Sequence, residues 1–495
     1  MSHSSKAPER HVFSNGLSIS RLITGLWQLA DMERDGRTLD LDSAAAELEK
    51  YARAGFDTFD MADHYGSAEI VAGRCLKRQE ASNQPPAALL TKWVPEPGPM
   101  TAQVVGAAVQ ERLRRLGTPH IDLLQLHWWQ FENPDYLDAM WELDRLRAQG
   151  LVRNLGVTNF DTDHLGVLVA EGLPILTNQV CFSLLDRRAA GAMSELCLQN
   201  SIGVLAFGTL AGGFLSERWL AVPEPVEGEI ADWSKMKYKR FIDAAGGWEV
   251  FQNLLKTLKA IAIRHGATIA NVATRWVLDH PAVAAAIIGA RLGQNEHRQS
   301  NLATFDFALD AEDRARLADA LSGLTPIPGD CGDEYRKPPF LTATGDLSHH
   351  LAALPAVFTA TPVPGRPGRT RVDSGSKWET IAGYSRAIRI ADRVLVSGTT
   401  ATHGAGRVIG KGNPAAQTVY ILDKISASLK AVGAELADVI RTRVYLRDVA
   451  AWEPVSRVHG RYFAGVRPAN TLLAAGGLVG EYDVEIEAEA MVTAR

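Results

Sequence analysis

The sequence predicts two folded units, an α/β barrel of eight parallel strands followed by a small α+β domain. Three observations carry that expectation. Strand-length apolar runs alternate with segments of helical periodicity about eight times within roughly 300 residues, the size of a (β/α)8, or TIM, barrel. No Gly-rich phosphate loop follows the first strand, which separates the chain from a doubly wound dinucleotide fold. Beyond a Pro- and Gly-rich stretch the pattern changes to hairpins and a long amphipathic helix.

The barrel elements follow in order. After a polar lead, residues 17–29 read as a first strand containing Thr24-Gly25-Leu26-Trp27, and 42–54 have helical spacing. The β-rich run 56–59 ends at Asp60, and the chain turns through Asp63 and His64 to Tyr65 before a helix at 67–76. The run 87–91 is closed by Lys92. Thr101 then offers an N-cap to a helix whose Val105, Ala108, Val109, Leu113 and Leu116 fall on one face and which stops at Gly117. The run 121–126 is closed by His127 and precedes a helix near 135–148. Strands at 152–157, 175–180 and 202–207 alternate with helices at 161–170 and 188–199. An insertion from Gly208 to Gly247 lies on the strand-end side, where a loop of that length is expected to act as a flap over cofactor or substrate. A helix at 248–265, a strand at 284–288 and a helix at 295–302 complete the series.

The barrel is assigned residues 1–325. Residues 326–376 carry Pro326, Pro328, Pro338, Pro339, Pro355, Pro362, Pro364 and Pro367 and read as an irregular linker, with one short helix at 347–354. Residues 377–495 form the second domain. There 388–390 and 394–396 make a hairpin around Ala391-Asp392, and Pro414 opens a helix whose Val419, Leu422, Ile425, Leu429 and Val432 share one face. Val444 and Leu446 mark a strand and 452–463 a helix. The closing run sets Val484, Ile486, Ala488 and Ala490 against Glu485, Glu487 and Glu489 with period two.

Composition excludes several classes. With 52 Lys+Arg against 57 Asp+Glu, the chain has no basic excess for nucleic acid or an anionic membrane surface. No apolar run reaches the roughly 20 residues that span a bilayer, and the first residues lack the apolar core of a secretory signal. Cys75, Cys181, Cys197 and Cys331 show neither pairing nor metal-ligand spacing, so buried thiols in a reducing, cytoplasmic setting are expected, and no metal.

Asp60, Tyr65, Lys92 and His127 stand at the carboxyl ends of three successive strands, where a parallel barrel builds its site. A free phenol titrates at about 10 and is a poor acid at neutral pH. A neighbouring ammonium favours the phenolate, a carboxylate holds that ammonium in place, and a histidine can orient a carbonyl oxygen. Such a set delivers a proton to an oxygen that is becoming negative. It suits carbonyl reduction with hydride from a cofactor. Trp27, Trp128 and Trp129 are expected to wall an apolar substrate pocket.

Residues 12–325 resemble the aldo-keto reductase superfamily in Asp60-Met-Ala-Asp-His-Tyr65-Gly, Thr91-Lys92-Trp93, Ile121-Asp-Leu-Leu-Gln-Leu-His127-Trp128 and Gly156-Val-Thr158-Asn159-Phe160. Asn178-Gln179, Ile287-Ile-Gly289-Ala-Arg291 and Asn301 continue the match. The resemblance implies that Tyr65 is the acid, that Lys92 and Asp60 tune it, and that His127 orients the carbonyl. It implies that Thr158, Asn159 and Gln179 hold a nicotinamide amide, with Gly25, Asp60, Gly208, Leu210, Gly289 and Asn301 completing the cofactor cleft. Phe207 stands where a stacking Tyr is often found, and Arg291 where the adenosine 2′-phosphate binds, which favours NADPH over NADH. The implied partner is a small aldehyde or ketone.

Residues 377–495 resemble the reactive-intermediate deaminase (Rid/YjgF) family, a chorismate-mutase-like fold, in Gly383-Tyr384-Ser385, Val394-Leu-Val-Ser397-Gly398, Gln417, Arg467-Pro468-Ala469 and the Val484–Ala488 strand. This implies a homotrimer with interfacial clefts for small carboxylates. The family's carboxylate-binding arginine is replaced by Asn470, leaving Tyr384 and Glu485 as the remaining cleft residues. The domain is therefore expected to trimerise the chain or bind a small ligand. Two alternatives accompany the reductase: a bifunctional protein whose second domain processes an imine or enamine, and a non-enzymatic nicotinamide sensor or scaffold.

Overall fold

Strands with side chains buried on both faces need layers on both sides, and the N-terminal part of the chain supplies them by closing on itself. The computed structural model describes residues 7–33, 37–226, 228–230, 232–294, 297–337 and 350–493. Within it β1 (Leu22–Gly25) leads to α1 (Leu41–Arg53), β2 (Thr58–Asp60) to α2 (Ala68–Ala81) and β3 (Ala88–Trp93) to α3 (Ala102–Leu116). Then come β4 (Leu123–His127), α4 (Asp135–Ala148), β5 (Leu155–Thr158), α5 (Thr162–Ala170), β6 (Ile175–Cys181), α6 (Ala192–Gln199) and β7 (Gly203–Phe207). The insertion holds α7 (Trp233–Ala244). After α8 (Trp248–His265) and α9 (Ile269–Leu278), β8 (Val283–Gly289) pairs in parallel with both β7 and β1 and closes the barrel. Helix α10 (Ala311–Ser322) follows.

Local chemistry explains the boundaries. Asp40 caps α1 by accepting from the Asp42 and Ser43 amides, Thr101 caps α3 from Val104, and Asp161 caps α5 from His164. Gly117 ends α3 in the left-handed region at φ 65°, as its position implied. The expected first strand at 17–29 is three elements instead. Ser18–Ser20 pairs with Arg10–Val12 as a hairpin, β1 is confined to Leu22–Gly25, and Trp27–Met32 is helical. The stretch 17–29 mixes apolar residues with Ser18, Ser20, Arg21, Thr24 and Gln28, and short mixed runs of this kind do not by themselves separate strand from helix.

The stretch 326–376 also differs from a plain linker, because both of its ends belong to folded layers. Buried Glu334 accepts from Arg188 Nη2 at 2.7 Å, and the same nitrogen reaches Asp186 at 2.6 Å, which ties residues 333–335 to the barrel. At the other end β9 (Ala360–Pro362) and β10 (Arg369–Val372) extend the second sheet. The expected short helix appears as His350–Ala353, and its first residues, 347–349, lie outside the described residues.

The second domain adds β11 (Ala387–Ile390), β12 (Arg393–Thr399), α11 (Pro414–Ala431), β13 (Val439–Leu446), α12 (Trp452–Tyr462), β14 (Ala469–Ala474) and β15 (Val484–Met491). Its sheet runs β9-β10-β11-β12-β15-β13-β14, with only β13–β14 parallel. The side chains of β15 alternate between buried and part-exposed, as period two requires.

Helix α11 was expected to bury one face, and it buries nearly all of its circumference. One side packs on the sheet and the other on barrel helix α5. That second face is polar. His164 of α5 lies between Asp161, 2.7 Å from its Nδ1, and Asp423 of α11, 2.9 Å from its Nε2, while the Tyr462 hydroxyl donates to Asp423 at 2.7 Å. Phe131 stacks on the imidazole with centroids 3.7 Å apart. His403 with Asp138 and Lys430 with Glu132 add bonds of 3.0 and 2.6 Å across the same interface. All four cysteines are buried free thiols, and no helix among the described residues is long and apolar enough to cross a membrane.

Burial alone would lower the His164 pKa, but the carboxylates on either side push it up to about 10. A raised folded-state pKa contributes stability that is complete below the unfolded value of about 6.5 and is lost as pH rises through about 10. His164→Ala leaves two buried carboxylates without their cation and should cost about 3–5 kcal/mol. Calorimetric melting should show a gap between wild type and His164→Ala that closes from pH 6.5 towards 10. A gap that stays constant over that range would show that a charged His164 does not hold the domains together.

Candidate active site

The barrel register places the site residues before any side chain is considered. Gly25 lies opposite both Gly289 and Asp60, His127 lies opposite Thr158, and Thr158 opposite Gln179, all at the carboxyl ends of their strands. The ends open into a cavity of about 560 Å³ lined by Gly25, Trp27, Asp60, Tyr65, Lys92, His127, Thr158, Asn159, Gln179, Phe207, Gly208, Leu210, Gly289, Arg291 and Asn301. Each of these was singled out from the sequence, and the fold brings them all to one wall or another of a single chamber.

At its base Lys92 Nζ lies 2.7 Å from both Asp60 oxygens, and Gln179 Nε2 donates to Asp60 Oδ1 at 2.6 Å. Burial lowers the lysine's pKa and Asp60 opposes that shift. The ammonium sits 5.0 Å from the Tyr65 ring centroid, and Trp27 meets the same ring edge-on at 4.9 Å. Burial drives His127 well below its ordinary pKa, with the charge of Arg336 and the neighbourhood of His64 adding to the effect. The imidazole is therefore neutral at neutral pH. Its Nε2 is buried with no hydrogen-bond partner among the described residues, and Asn159 Oδ1 is in the same condition. Asn159 takes φ 58°, a left-handed conformation that asparagine tolerates better than most residues.

Two glycines stand where an added side chain would meet a neighbour. A Cβ on Gly208, at φ +70°, would collide with the buried Tyr238 ring and hydroxyl, and one on Gly289 would meet the movable end of Gln28. Arg291 Nη2 is held 2.9 Å from Asp232 Oδ2, the residue that caps α7.

One expectation needs correction. Trp128 and Trp129 do not line the chamber. Trp128 Nε1 donates to the Gln130 and Asn133 carbonyls, and Trp129 Nε1 donates to the Pro95 carbonyl at 2.9 Å. A buried indole needs an acceptor for its N–H, and the loops after β3 and β4 supply those acceptors inside the core. Trp129 still acts on the site from behind, edge-on to His127 at 4.5 Å. Within one chain, Asn470 and Glu485 of the expected interfacial cleft lie on different faces of the sheet. Asn470 bonds to His459 of α12 at 3.2 Å and pairs with Thr442, whereas Glu485 pairs with Tyr445, three residues further along β13. Period two sends positions an odd number apart to opposite faces of the sheet.

Sequence reasoning missed Lys237 and Tyr238 of the insertion and Tyr335 of the connector, all of which line the chamber. The insertion's position foretold a covering element, but no motif distinguishes these residues from other aromatics and lysines nearby.

Comparison with known proteins agrees with this architecture. The model of the aldo/keto reductase family matches residues 21–322, and that of the family described as Endoribonuclease L-PSP matches residues 375–492. Aldo-keto reductase YhdN of Bacillus subtilis is 24% identical over 344 residues, 66% of this chain and 97% of that protein. An uncharacterized protein of Streptomyces coelicolor is 39% identical over 121 residues, 24% of this chain and 90% of that protein. Flagellar radial spoke protein 5 of Chlamydomonas reinhardtii is 33% identical over 182 residues, but the match spans only 34% of its length and 33% of this chain. The solved glycerol dehydrogenase of Gluconobacter oxydans superposes with a TM-score of 0.51 at 22% identity, over 66% of this chain and 98% of that one, and shares the barrel fold. The chain belongs to the aldo/keto reductase family through its barrel, and it carries a YjgF-type domain behind it.

The buried Asp60–Lys92 pair makes a direct prediction. Lys92→Met strands a buried carboxylate and should cost about 3–5 kcal/mol of stability, most of it recovered in Asp60→Asn/Lys92→Met. Urea unfolding of the three variants measures the coupling. Additive losses would mean that the pair does not hold the chamber base.

Proposed function

We propose that the barrel is an NADPH-dependent reductase of an aldehyde or ketone, with Tyr65 as general acid. The observation that carries this reading is the arrangement at the chamber base. Tyr65 lies beside an ammonium held by a carboxylate, and a neutral histidine presents a buried, unpartnered nitrogen to the same space. The residues present fit a nicotinamide dinucleotide. Asn159 Oδ1 needs a donor such as an amide, and Phe207 ends β7 with a ring at the chamber wall. Arg291 offers a fork for a 2′-phosphate once it shares or releases Asp232.

When bound, that dinucleotide supplies the hydride. The protein's own task is the proton and the geometry. Neutral His127 offers Nε2 to the carbonyl oxygen and fixes its direction. Tyr65 delivers the proton as that oxygen becomes negative, and the positive charge of Lys92 stabilises the phenolate left behind. Asp60 and Gln179 keep Lys92 oriented, and Trp27 limits water beside Tyr65.

The second domain serves assembly in this reading. Its sheet is covered by helices on one face, and the other exposes Ile390, Leu395, Ile440, Leu473 and Met491, each 37–47% accessible. A sheet face bearing that many apolar side chains calls for a partner surface, and a homotrimer of identical chains satisfies it. With Asn470 turned to His459, imine or enamine processing has weaker support. Acceleration of imine hydrolysis by the protein would revive it.

The test is NADPH oxidation across aldehydes, ketones and cyclic imines, with Tyr65→Phe alongside. We expect turnover with one carbonyl class, and a loss of about 10²–10⁴-fold in Tyr65→Phe while NADPH still binds. Near-wild-type turnover by Tyr65→Phe would remove the acid assignment. NADPH binding without turnover on any carbonyl would instead favour a sensor or scaffold.

A further inference from the structure

The chamber carries a positive charge that the reductase chemistry does not use. Five lysines and arginines line it. Lys92 is paired with Asp60, and Lys235 and Arg291 both reach Asp232. Arg218 is exposed and lies over the Trp219 ring at 5.8 Å. Lys237 is different. It is buried, and among the described residues no carboxylate lies within ion-pair distance of it. Its ammonium donates to the Tyr335 hydroxyl at 2.7 Å and otherwise faces aromatic rings, with centroids at 4.2 Å for Tyr335, 5.1 Å for Phe207 and 5.6 Å for Tyr238. The neighbouring Glu334 is engaged by Arg188 at 2.7 Å and feels Lys237 only through space.

A buried ammonium with a phenol as its one hydrogen-bond partner is costly, because burial removes hydration that neither a neutral hydroxyl nor ring faces replace. Buried charges are ordinarily matched by an opposite charge in contact, and among the described residues none touches Lys237; Glu334, which shares Arg188 with Asp186, acts on it only from a distance. The place of Lys237 in the chamber indicates where the missing anion comes from. Tyr335, which Lys237 holds, lies edge-on to His127 with centroids 5.6 Å apart. Lys237 is therefore one side chain away from the imidazole that orients the carbonyl, close enough that its charge contributes to the lowered pKa of His127. It comes from the insertion and Tyr335 from the connector, so the two segments that cover the chamber meet at this hydrogen bond.

We propose that the substrate is a short carbonyl compound carrying its own anion, a carboxylate or phosphate, and that Lys237, positioned by Tyr335, receives that anion. The inference rests on the reductase reading and adds the substrate class to it. An anion joined to the carbonyl by a short chain gives Lys237 an anion in contact while the carbonyl oxygen lies between Tyr65 and His127. A neutral substrate of the same length leaves the ammonium unmatched. The chamber therefore discriminates by charge as well as by shape.

The test uses the full-length protein with NADPH and matched substrates: short aldehydes ending in a carboxylate, in a phosphate, or in a neutral amide of the same length. Wild type should favour the anionic members by about a hundredfold in kcat/KM. Lys237→Met should remove most of that preference, chiefly through KM, and lose far less on the amide. Lys237→Arg should retain part of the preference, and Tyr335→Phe should reduce it less than Lys237→Met. The carboxylate and phosphate arms distinguish the two anions. Equal reduction of amide and anion by wild type would overturn the inference and leave the reductase intact, and that ratio decides even if Lys237→Met fails to fold. A weakened NADPH Kd in Lys237→Met with substrate preference unchanged would overturn it as well, since the lysine would then serve a cofactor phosphate. Absence of reduction across the whole panel would overturn the reductase reading and the inference with it.

Discussion

A lysine ammonium and an aspartate carboxylate buried together at one end of a closed barrel set the terms for the surrounding structure. Neither Asp60 nor Lys92 could be left there alone, since an unpaired charge in that position costs several kcal/mol. Both carboxylate oxygens lie 2.7 Å from Lys92 Nζ, and Gln179, three strands away from Lys92 around the barrel, completes the shell of Asp60. Parallel pairing of β2 with β3, and of β5 with β6, fixes those strand ends relative to one another. Tyr65 then needs only a short turn after β2 to lie beside the ammonium, and barrel closure brings Gly25 and Gly289 alongside. The chemistry proposed for the chamber rests on this geometry, which sets the Tyr65 ring beside a fixed charge.

Around this base the protein adds covers from distant parts of the chain. The insertion contributes Lys237 and Tyr238, and the connector contributes Tyr335, Glu334 and Arg336. The Asp186–Arg188–Glu334 bridge holds the connector against the barrel, and Arg336 reaches the Trp128 carbonyl at 2.6 Å. The second domain reaches towards the same region from outside. His164, between Asp161 and Asp423, joins α11 to α5, and Asp161 caps α5 just two residues after Asn159. The segment that follows the chamber wall is thereby fixed at both ends, by β5 on one side and by the docked domain on the other.

Much of the barrel was legible because its strands and helices announce themselves locally. Period 3.6 in 102–116, the Thr101 cap and the Gly117 stop are properties of a few adjacent residues, and the structure reproduces them. The singletons closing successive apolar runs were legible for a related reason. A charged residue at the end of a buried strand is out of place unless a cavity receives it. Residues 17–29 misled because one short stretch, broken by Ser20-Arg21 and Gly25, holds two strands and the start of a helix. The linker misled because its prolines and glycines suggested irregularity, although short edge strands such as β9 tolerate Pro362.

By itself the sequence determined most of the barrel's strands and helices, one buried face of several of them, and which residues stand at the strand ends that form the chamber. It did so because periodicity, caps and stops act within a few residues. It could not determine what lies against a buried side. Only the tertiary structure decided that α5 covers the second face of α11, that Trp128 and Trp129 turn into the core, and that Asn470 and Glu485 part company across β13. The meeting of Lys237 with Tyr335 over the chamber was decided in the same way. Each depends on contacts between segments tens to hundreds of residues apart, where complementarity of shape and charge, rather than local propensity, selects the partner.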